Sequence, residues 1–265
     1  MKILMIFCLI FFSTKMLSAQ CIPVVAGTKF TAISTVKNAT DMTTLDQHTE
    51  MQVFNETTVD YQVKSVSNTG YSLELIPRHI KLSTKGFGNE RQLDTDSAID
   101  NKMPEIANLL AILNKPQNLV VENHQLISNT KIDGIVMPVN MNVNDAEKFF
   151  LAINPVNFKE GYQWADTIKV DSSIITNQYT INAQTPTTIE VLVSSNINLK
   201  LSSAVNENNN IKQTMKGFSS GKRTYNKRSS LLVSELLDIN IAGNIETTDF
   251  NSPFTIKSTS QIIVK

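Results

Sequence analysis

Residues 49–84 read TEMQVFNETTVDYQVKSVSNTGYSLELIPRHIKLST, and this stretch predicts two long β-strands folded back on each other. In its first half, apolar or β-branched side chains recur with a period of two and therefore share one face: Met51, Val53, Thr57, Val59, Tyr61 and Val63. A turn follows at residues 67–70, where Gly70 can adopt positive φ without strain. Tyr71 and Leu73 then resume the alternation. Because a hairpin of this length must bury its apolar face, we expect further strands to extend it into a large curved antiparallel sheet.

The composition is that of a neutral chain with enough apolar residues for one large core. The sequence has 265 residues, of which 41% are hydrophobic, and a β-rich chain of this length often forms one domain. Its 24 Lys and Arg residues balance its 24 Asp and Glu residues, so the formal net charge is zero. Such a chain has no overall field to attract a polyanion, and we expect no nucleic-acid partner.

The first 20 residues have the organisation of a signal peptide. Lys2 precedes an apolar run over residues 3–12, and Ser18 and Ala19 supply the small residues at which such a segment is cleaved. The run is too short to span a bilayer, which takes about 20 residues, and no later stretch predicts a transmembrane segment. We therefore expect a secreted, periplasmic or cell-surface protein.

Cys21 is the one cysteine left after such cleavage, because Cys8 leaves with the signal peptide. A single cysteine excludes an intramolecular disulfide and a cysteine-based metal site. Cys21 could instead carry a lipid anchor, although Gln20 occupies a position where lipoprotein processing prefers a small residue. The alternative is an unpaired thiol near a frayed terminus.

Downstream of the hairpin, the pattern predicts strands with few helical interruptions. Further strands are predicted at residues 24–37, 118–122, 125–131, 167–170, 174–181, 189–201, 211–218, 231–245 and 254–264. Residues 86–102 and 221–223 are predicted to be connections because they are polar or glycine-containing, and the polar residues 38–48 are predicted to be an exposed connection or a strand end. Pro77 removes a backbone donor, so we expect it at a bulge or on an edge, where the apolar parity changes to Ile80.

Two helices are predicted within this β-rich chain. One runs over residues 104–113, with Pro104 in its first turn and Leu109 and Leu113 on one face. A second, short helix is predicted from residue 144 or 145 to residue 152. The sequence therefore predicts a mostly β fold: one large curved antiparallel sheet, either a half-barrel similar to lipoprotein carriers or a sandwich, with one or two short helices. Residues 21–265 would form a single domain, or two similar halves with a boundary near residues 140–165.

Several segments resemble a known kind of secreted protein: YQVKSV at residues 61–66, GYSLELIPRHIKL at residues 70–82, LDTDS at residues 93–97 before the short Leu-rich helix, and a basic turn followed by a strand of Leu, Val and Ile near residues 219–241. In this order they resemble an uncharacterised family of secreted proteins from Gram-negative bacteria of the Bacteroidetes type. The resemblance implies export and a β architecture, and it implies no activity.

The sequence contains none of the common catalytic or cofactor-binding patterns, and we predict no catalytic residue, cofactor or metal. It lacks the serine-hydrolase elbow, the zinc-protease helix, the dinucleotide loop and the phosphate loop. Its histidines, His48, His79 and His124, have no ligand spacing. The acidic loop at residues 94–100 lacks the oxygen ligand and the glycine that a calcium loop has at its fifth and sixth positions.

Two other groups have alternative interpretations. The basic cluster at residues 222–228 could contact an anion, but it is also typical of a solvated hairpin end that protects an edge strand. Trp164, Tyr162 and Phe158 surround Gly161 and could stack on a sugar ring or simply complete the core.

Three hypotheses about function follow from this reading. The first is a non-enzymatic envelope protein that binds a hydrophobic small molecule between sheet and helix, with candidate lining residues Tyr61, Leu73, Leu109, Leu113 and Val191. The second is a structural or adhesive surface module without a pocket, whose partner is another envelope protein at a strand edge. The third is a hydrolase that uses two carboxylates facing each other across a cleft.

Overall fold

The computed structural model describes residues 24–44, 47–67, 69–86, 88–97, 107–122, 125–129, 148–151, 153–170, 172–206, 209–246 and 251–265. Strand accounts for 77% of the structure, which confirms the predicted mostly β fold. The strands are β1 (Lys29–Thr44), β2 (Gln47–Val66), β3 (Gly70–Gly86), β4 (Asn89–Asp94), β5 (Gln117–Glu122), β6 (Gln125–Asn129), β7 (Gln163–Val170), β8 (Ser173–Gln184), β9 (Thr188–Asn206), β10 (Asn209–Asn226), β11 (Leu232–Glu246) and β12 (Asn251–Val264). Helix α1 (Ala107–Ile112) and a 3-10 turn (Pro155–Asn157) accompany them, and neither is long and apolar enough to cross a membrane.

All twelve strands belong to one antiparallel sheet whose first and last strands lie side by side in its middle. The order is β6–β5–β3–β2–β1–β12–β11–β10–β9–β8–β7, and β4 also pairs with β3. In the part of the chain that the structure describes, β6 and β7 are the two edges and do not pair with each other. The architecture is therefore a single open sheet, and this distinguishes it from a two-sheet sandwich.

Strand β3 changes its outer neighbour at Pro77. Residues 70–75 pair with β5, whereas residues 81–86 pair with β4. On the opposite side, the register with β2 shifts by one residue at this point, from the pair Val59–Pro77 to the pair Thr58–His79. The predicted bulge at Pro77 is confirmed, because the missing backbone donor falls where the ladder is interrupted.

The hydrophobic core lies on one face of the sheet, which we call the inner face, and it lies towards one end of the strands. The side chains buried there come from both halves of the sheet, and they include Phe30, Val59, Val63, Leu73, Leu119, Ile181, Ile189, Val191 and Leu232. Because directly paired residues point to the same face, the register assigns the remaining side chains of each strand to the inner or the outer face.

Residues 148–151 and 153, which we call the covering segment, pack on this end of the inner face. Phe149 and Phe150 are 4% and 3% exposed, and their rings lie 5.2 and 5.9 Å from the ring of Phe30. Phe150 also forms an isolated antiparallel bridge with Leu231 in front of β11. The covering segment therefore joins β1 to β10 and β11 across the core.

The covering segment corrects the predicted second helix. Residues 148–149 are 3-10 helical, so a helical end is confirmed there; Phe150 pairs with Leu231, so the helix prediction is wrong at residues 150–151, while residues 144–147 and 152 lie outside the described residues. The first helix is confirmed at Ala107–Ile112. It lies beside the β3 bulge, where the Asn114 amide donates to the Pro77 carbonyl at 2.8 Å.

Two predicted connections contain strands instead, and residues 38–48, predicted as a connection or a strand end, are strand where the structure describes them. Residues 38–44 and 47–48 extend β1 and β2, as the strand-end alternative predicted, and residues 89–94 form β4. Residues 221–223 lie inside β10 and pair with both β9 and β11. Ladder pairing outweighs the low strand preference of Asn, Asp and Gly, because that preference is weak compared with tertiary context.

Gly221 shows why a predicted turn residue occurs in mid-strand. A Cβ atom there would collide with the carbonyl oxygen of Leu236 on β11, and Gly217 has the same relation to Asn240. Both glycines lie at inner positions of β10, on either side of the small Ser219. Glycine thus permits close approach of the strands where the sheet curls.

Candidate functional site

The two faces of the sheet differ sharply in charge. Along β1 and β7–β12, the lysines described in strands all lie at outer positions: Lys29, Lys37, Lys169, Lys200, Lys212, Lys216, Lys222 and Lys257. On the inner face of β7–β11, the charged residues described are Asp166, Arg223 and Glu235. A ligand on this inner face would therefore meet few charges.

Two of these three charged residues, Arg223 and Glu235, belong to a buried ion-pair network. The Lys148 Nζ atom of the covering segment lies 2.9 Å from Glu235 Oε1, and Arg223 Nε lies 2.6 Å from Glu235 Oε2. The Glu235 side chain is fully buried. Tyr225 adds a hydrogen bond from its hydroxyl to the Lys148 carbonyl at 3.1 Å. The network fastens the covering segment to β10 and β11, so its role is structural.

Glu235 stays ionised in this buried position because it has two cationic partners. Burial alone would raise the pKa of its carboxyl, but Lys148 and Arg223 overcome that effect and lower the pKa from 4.5 to about 2. For Arg223, burial acts to lower the pKa, and the adjacent Glu235 carboxylate holds it well above its usual value. Glu235 and Arg223 therefore remain charged over the physiological range.

Stability should consequently fall in acid. Since the pKa of Glu235 is lower in the folded chain than the usual 4.5, its ionised form stabilises the fold above that pH, and the stabilisation is lost as the pH falls from 4.5 towards 2. The shift corresponds to about 3 kcal/mol. Urea unfolding at a series of pH values should show this decline. Glu235→Gln should reduce its amplitude, and the exposed Glu246→Gln on the same strand should leave it unchanged.

Beside this network, aromatic side chains form a stack that leads towards β7. Trp164 lies 5.0 Å from Tyr179 with nearly parallel rings, and the guanidinium of Arg223 lies 5.8 Å from the Tyr179 ring centroid. Tyr179 is buried, whereas Trp164 is only half-buried. The stack thus marks the boundary between the core and the open part of the inner face.

Next to the stack, four polar side chains occupy paired positions on adjacent strands, and we call them the polar ladder: Asp166 on β7, Asn177 on β8, Ser195 on β9 and Ser219 on β10. The Asp166 carboxylate accepts hydrogen bonds from Asn177 Nδ2 at 2.6 Å and from the Tyr179 hydroxyl at 3.0 Å. Asp166 is exposed, Asn177 and Ser195 are half-buried, and Ser219 is 7% exposed. Strand spacing gives the ladder a length of about 14 Å.

Beyond the ladder, the inner face becomes apolar again. Isoleucines occupy the next paired positions on five strands, interrupted by Gly217 on β10: Ile168, Ile175, Ile197, Ile241 and Ile256. The adjoining row carries Leu199, Met215, Phe254 and Met42. We call these nine side chains the apolar band. Phe254 is buried against Gly243, and the other eight are half-buried.

The five candidate lining residues suggested by the sequence form two groups in the structure, three at the core and two at helix α1. Leu73 and Val191 are completely buried in the core, and Tyr61 stacks on Phe30 at 5.0 Å and contacts Phe149 at 4.8 Å. Leu113 is half-buried in the turn after α1. Leu109 lies within α1, and its side chain is not among those that the structure describes. Ligand contact by these five residues stays a prediction.

Other candidate groups lie on the outer face. His79 Nε2 lies 2.9 Å from Asp94 Oδ1 and 3.7 Å from Asp96 Oδ2, which joins the acidic loop to a histidine that sequence spacing had left separate. The Asp94 pKa is lowered by the Asp96 amide and then by His79. Asp41, His48 and Glu50 form a second, fully exposed group. Both groups are explained by cross-strand ion pairing.

Two shallow troughs also open on the outer face, with volumes of 870 and 770 Å³. They share Asp238 and are lined mainly by outer side chains such as Leu192, Lys222 and Lys257. In the first trough the exposed Leu192 and Leu236 are separated by Lys222, whereas the apolar band on the inner face contains no charged side chain. The inner face is therefore the stronger candidate for a functional surface.

Sequence reasoning found only parts of this surface. It placed Ile197 and Leu199 in one row and singled out Trp164, but it interpreted residues 222–228 as a solvated hairpin end. That interpretation is wrong for Arg223, which points inward to Glu235. Lys222 is exposed on the outer face, and its Nζ pairs with Glu190 at 3.2 Å. The signal that could have revealed Arg223 is the alternation through Gly217, Ser219 and Gly221, which continues into it.

Comparisons with known proteins give distant structural matches. No protein-family model matches the chain, and no curated protein does so. A solved structure of lipovitellin that concerns lipid–protein interactions matches at 8% identity and a TM-score of 0.48; the match covers 91% of this chain and 25% of that one, so this chain spans a quarter of its length. An outer membrane channel from Pseudomonas putida F1 matches at 8% identity and a TM-score of 0.26, over 94% of this chain and 98% of that one. At such low scores, the function is argued from the residues above.

Proposed function

We propose that this protein is an exported, non-enzymatic envelope protein that binds the acyl chain of a lipid-type ligand on its inner face. The apolar band carries the proposal. Eight aliphatic or thioether side chains lie half-buried beside Phe254 on one continuous surface, and a soluble surface rarely presents so many together without a partner. Export is supported by the signal-peptide pattern of residues 1–20.

The geometry of the band suits an extended hydrocarbon chain. Its isoleucine row crosses from β12 to β7, which is about 24 Å at the usual strand spacing. No lysine lies at an inner position among the described residues of β7–β12, and the nine side chains of the apolar band are all uncharged, so no charge within the band opposes burial of a chain. Removal of apolar area from water would supply the binding free energy.

A binding assay tests the proposal. Delipidated protein is titrated with a fluorescent fatty-acyl probe, and we expect saturable binding. Ile197→Asp should weaken that binding at least about tenfold, because a desolvated carboxylate in the band is costly. Leu192→Asp is the matched control, since it makes a similar change on the outer face of β9, where Leu192 is 42% exposed. Circular dichroism checks that both variants are folded.

Two results would contradict the proposal: no saturable binding by the wild-type protein, or an equal effect of the two substitutions. The first result would favour the structural module, for which β6 and β7 offer edges without a partner in the described chain. The hydrolase hypothesis receives no support from the inner face of β7–β11, where the second described carboxylate besides Asp166 is the fully buried Glu235.

A further inference from the structure

We infer that the ligand carries an uncharged, hydroxyl-rich head group, such as a glycosyl group, and that the polar ladder and Trp164 bind it. This inference rests on the proposed function, because it assigns the head group of the same ligand. The paired positions place the ladder directly between the aromatic stack and the apolar band. A ligand whose chain lies on the band would therefore place its polar end at Asp166, Asn177 and Ser195.

The polar ladder and Trp164 have hydrogen-bond donors and acceptors that their contacts within the protein leave available. Each oxygen of the Asp166 carboxylate accepts one hydrogen bond from the protein and can accept more. The Ser195 hydroxyl and the indole N–H of Trp164 make no hydrogen bond among the residues that the structure describes. A sugar presents several hydroxyl groups that donate and accept, and it would satisfy these groups together.

The half-buried Trp164 supplies the second element of such a site. Its ring is held in place by stacking on Tyr179, which is itself fixed by its hydrogen bond to Asp166. A rigid aromatic ring beside carboxylate and amide groups is a surface on which a pyranose ring can stack. Because Trp164 is also the single tryptophan of the chain, its fluorescence would report directly on occupancy.

Charge distinguishes this head group from the alternatives. An anionic head would approach the exposed Asp166 carboxylate, and on this inner face the one described cation of β7–β11, Arg223, already pairs with Glu235. A phosphate or carboxylate would thus be repelled without compensation. A cationic head such as trimethylammonium would be attracted to Asp166, but it has no hydroxyl group to bond with the Ser195 hydroxyl and the indole N–H of Trp164.

Three amphiphiles with the same chain provide the test: dodecyl maltoside, dodecanoate and dodecyltrimethylammonium, each below its micellar concentration. We expect the maltoside to bind at least about tenfold more tightly than the other two and to shift the Trp164 emission. Asp166→Ala should weaken maltoside binding about tenfold, as expected for loss of a charged hydrogen-bond acceptor. It should leave dodecanoate binding unchanged or improved. Asp238→Ala, on the outer face of β11, is the matched control.

The outcomes separate the two proposals. Equal affinity for the three amphiphiles, or equal effects of the two alanine substitutions, would overturn the head-group assignment while acyl binding stands. Preference for the trimethylammonium ligand would replace the sugar by a cationic head and also overturn it. If none of the three ligands binds, and the acyl probe fails as well, the proposed function itself is wrong.

Discussion

Glu235→Gln should destabilise the protein by about 3–5 kcal/mol, the usual cost of removing one member of a buried ion pair. The substitution removes the charge of the carboxylate that buried Lys148 and Arg223 both contact, at 2.9 and 2.6 Å, so the attraction that offsets the burial of these cations is weakened. It also loosens the covering segment, which contributes Lys148. The free energy of unfolding from urea titration at neutral pH measures the effect.

The control for this change is Glu246→Gln in the same strand, where the side chain is exposed. A surface substitution of this kind normally changes stability by less than about 0.5 kcal/mol. Equal effects of the two substitutions would show that the network is not buried as described. Replacement of the whole triad by apolar residues should cost much less than loss of Glu235 alone, because no unpaired charge remains.

Phe150→Ala should produce a loss of similar size, about 3–5 kcal/mol, the range for truncating a buried phenylalanine. Phe150 is 3% exposed and contacts Phe30 and Tyr71 edge-on, with centroid distances of 5.9 and 5.1 Å. The truncation opens a cavity between the covering segment and β1–β3. Thermal and urea unfolding measure the loss, and near-ultraviolet circular dichroism should show weaker aromatic signals.

Phe218→Ala provides the comparison for this substitution. Phe218 lies on the outer face of β10 and is 55% exposed, so the same truncation removes little buried area. We expect a change of less than about 1 kcal/mol. If both variants lost equal stability, the covering segment would not be part of the core.

The alternation of apolar and polar residues predicted the strands correctly where one face of a strand is apolar and at least partly buried. The rows in β2, β3 and β9 alternate because their inner side chains belong to the core or, in β9, to the apolar band, and the change of parity at Pro77 was visible for the same reason. In the outlying parts of β1 and in β4, the inner and outer side chains are alike in polarity. Residues 38–44 and 89–94 consequently show no alternation of apolar and polar side chains, although both segments are paired strands.

The candidate site was less predictable because it is assembled across strands. Asp166 and Ser219 are far apart in sequence, and only the register of β7 to β10 brings them into one row. Arg223 looked like part of an exposed basic cluster, since its partner Glu235 lies on another strand and Lys148 lies on a separate segment. Sequence spacing carries no information about such pairings.

The pairing of β1 with β12 has a consequence for how the molecule forms. Residue 32 meets residue 264 in the middle of the sheet, so contacts between the most distant parts of the chain must be made before the two halves become one structure. Such high contact order slows folding, because the entropy of closing a very long loop is lost before any ladder bonds are gained. Until β12 pairs, β1 and β11 each present an unpaired side, and during synthesis and folding these are the strands most in need of protection from aggregation.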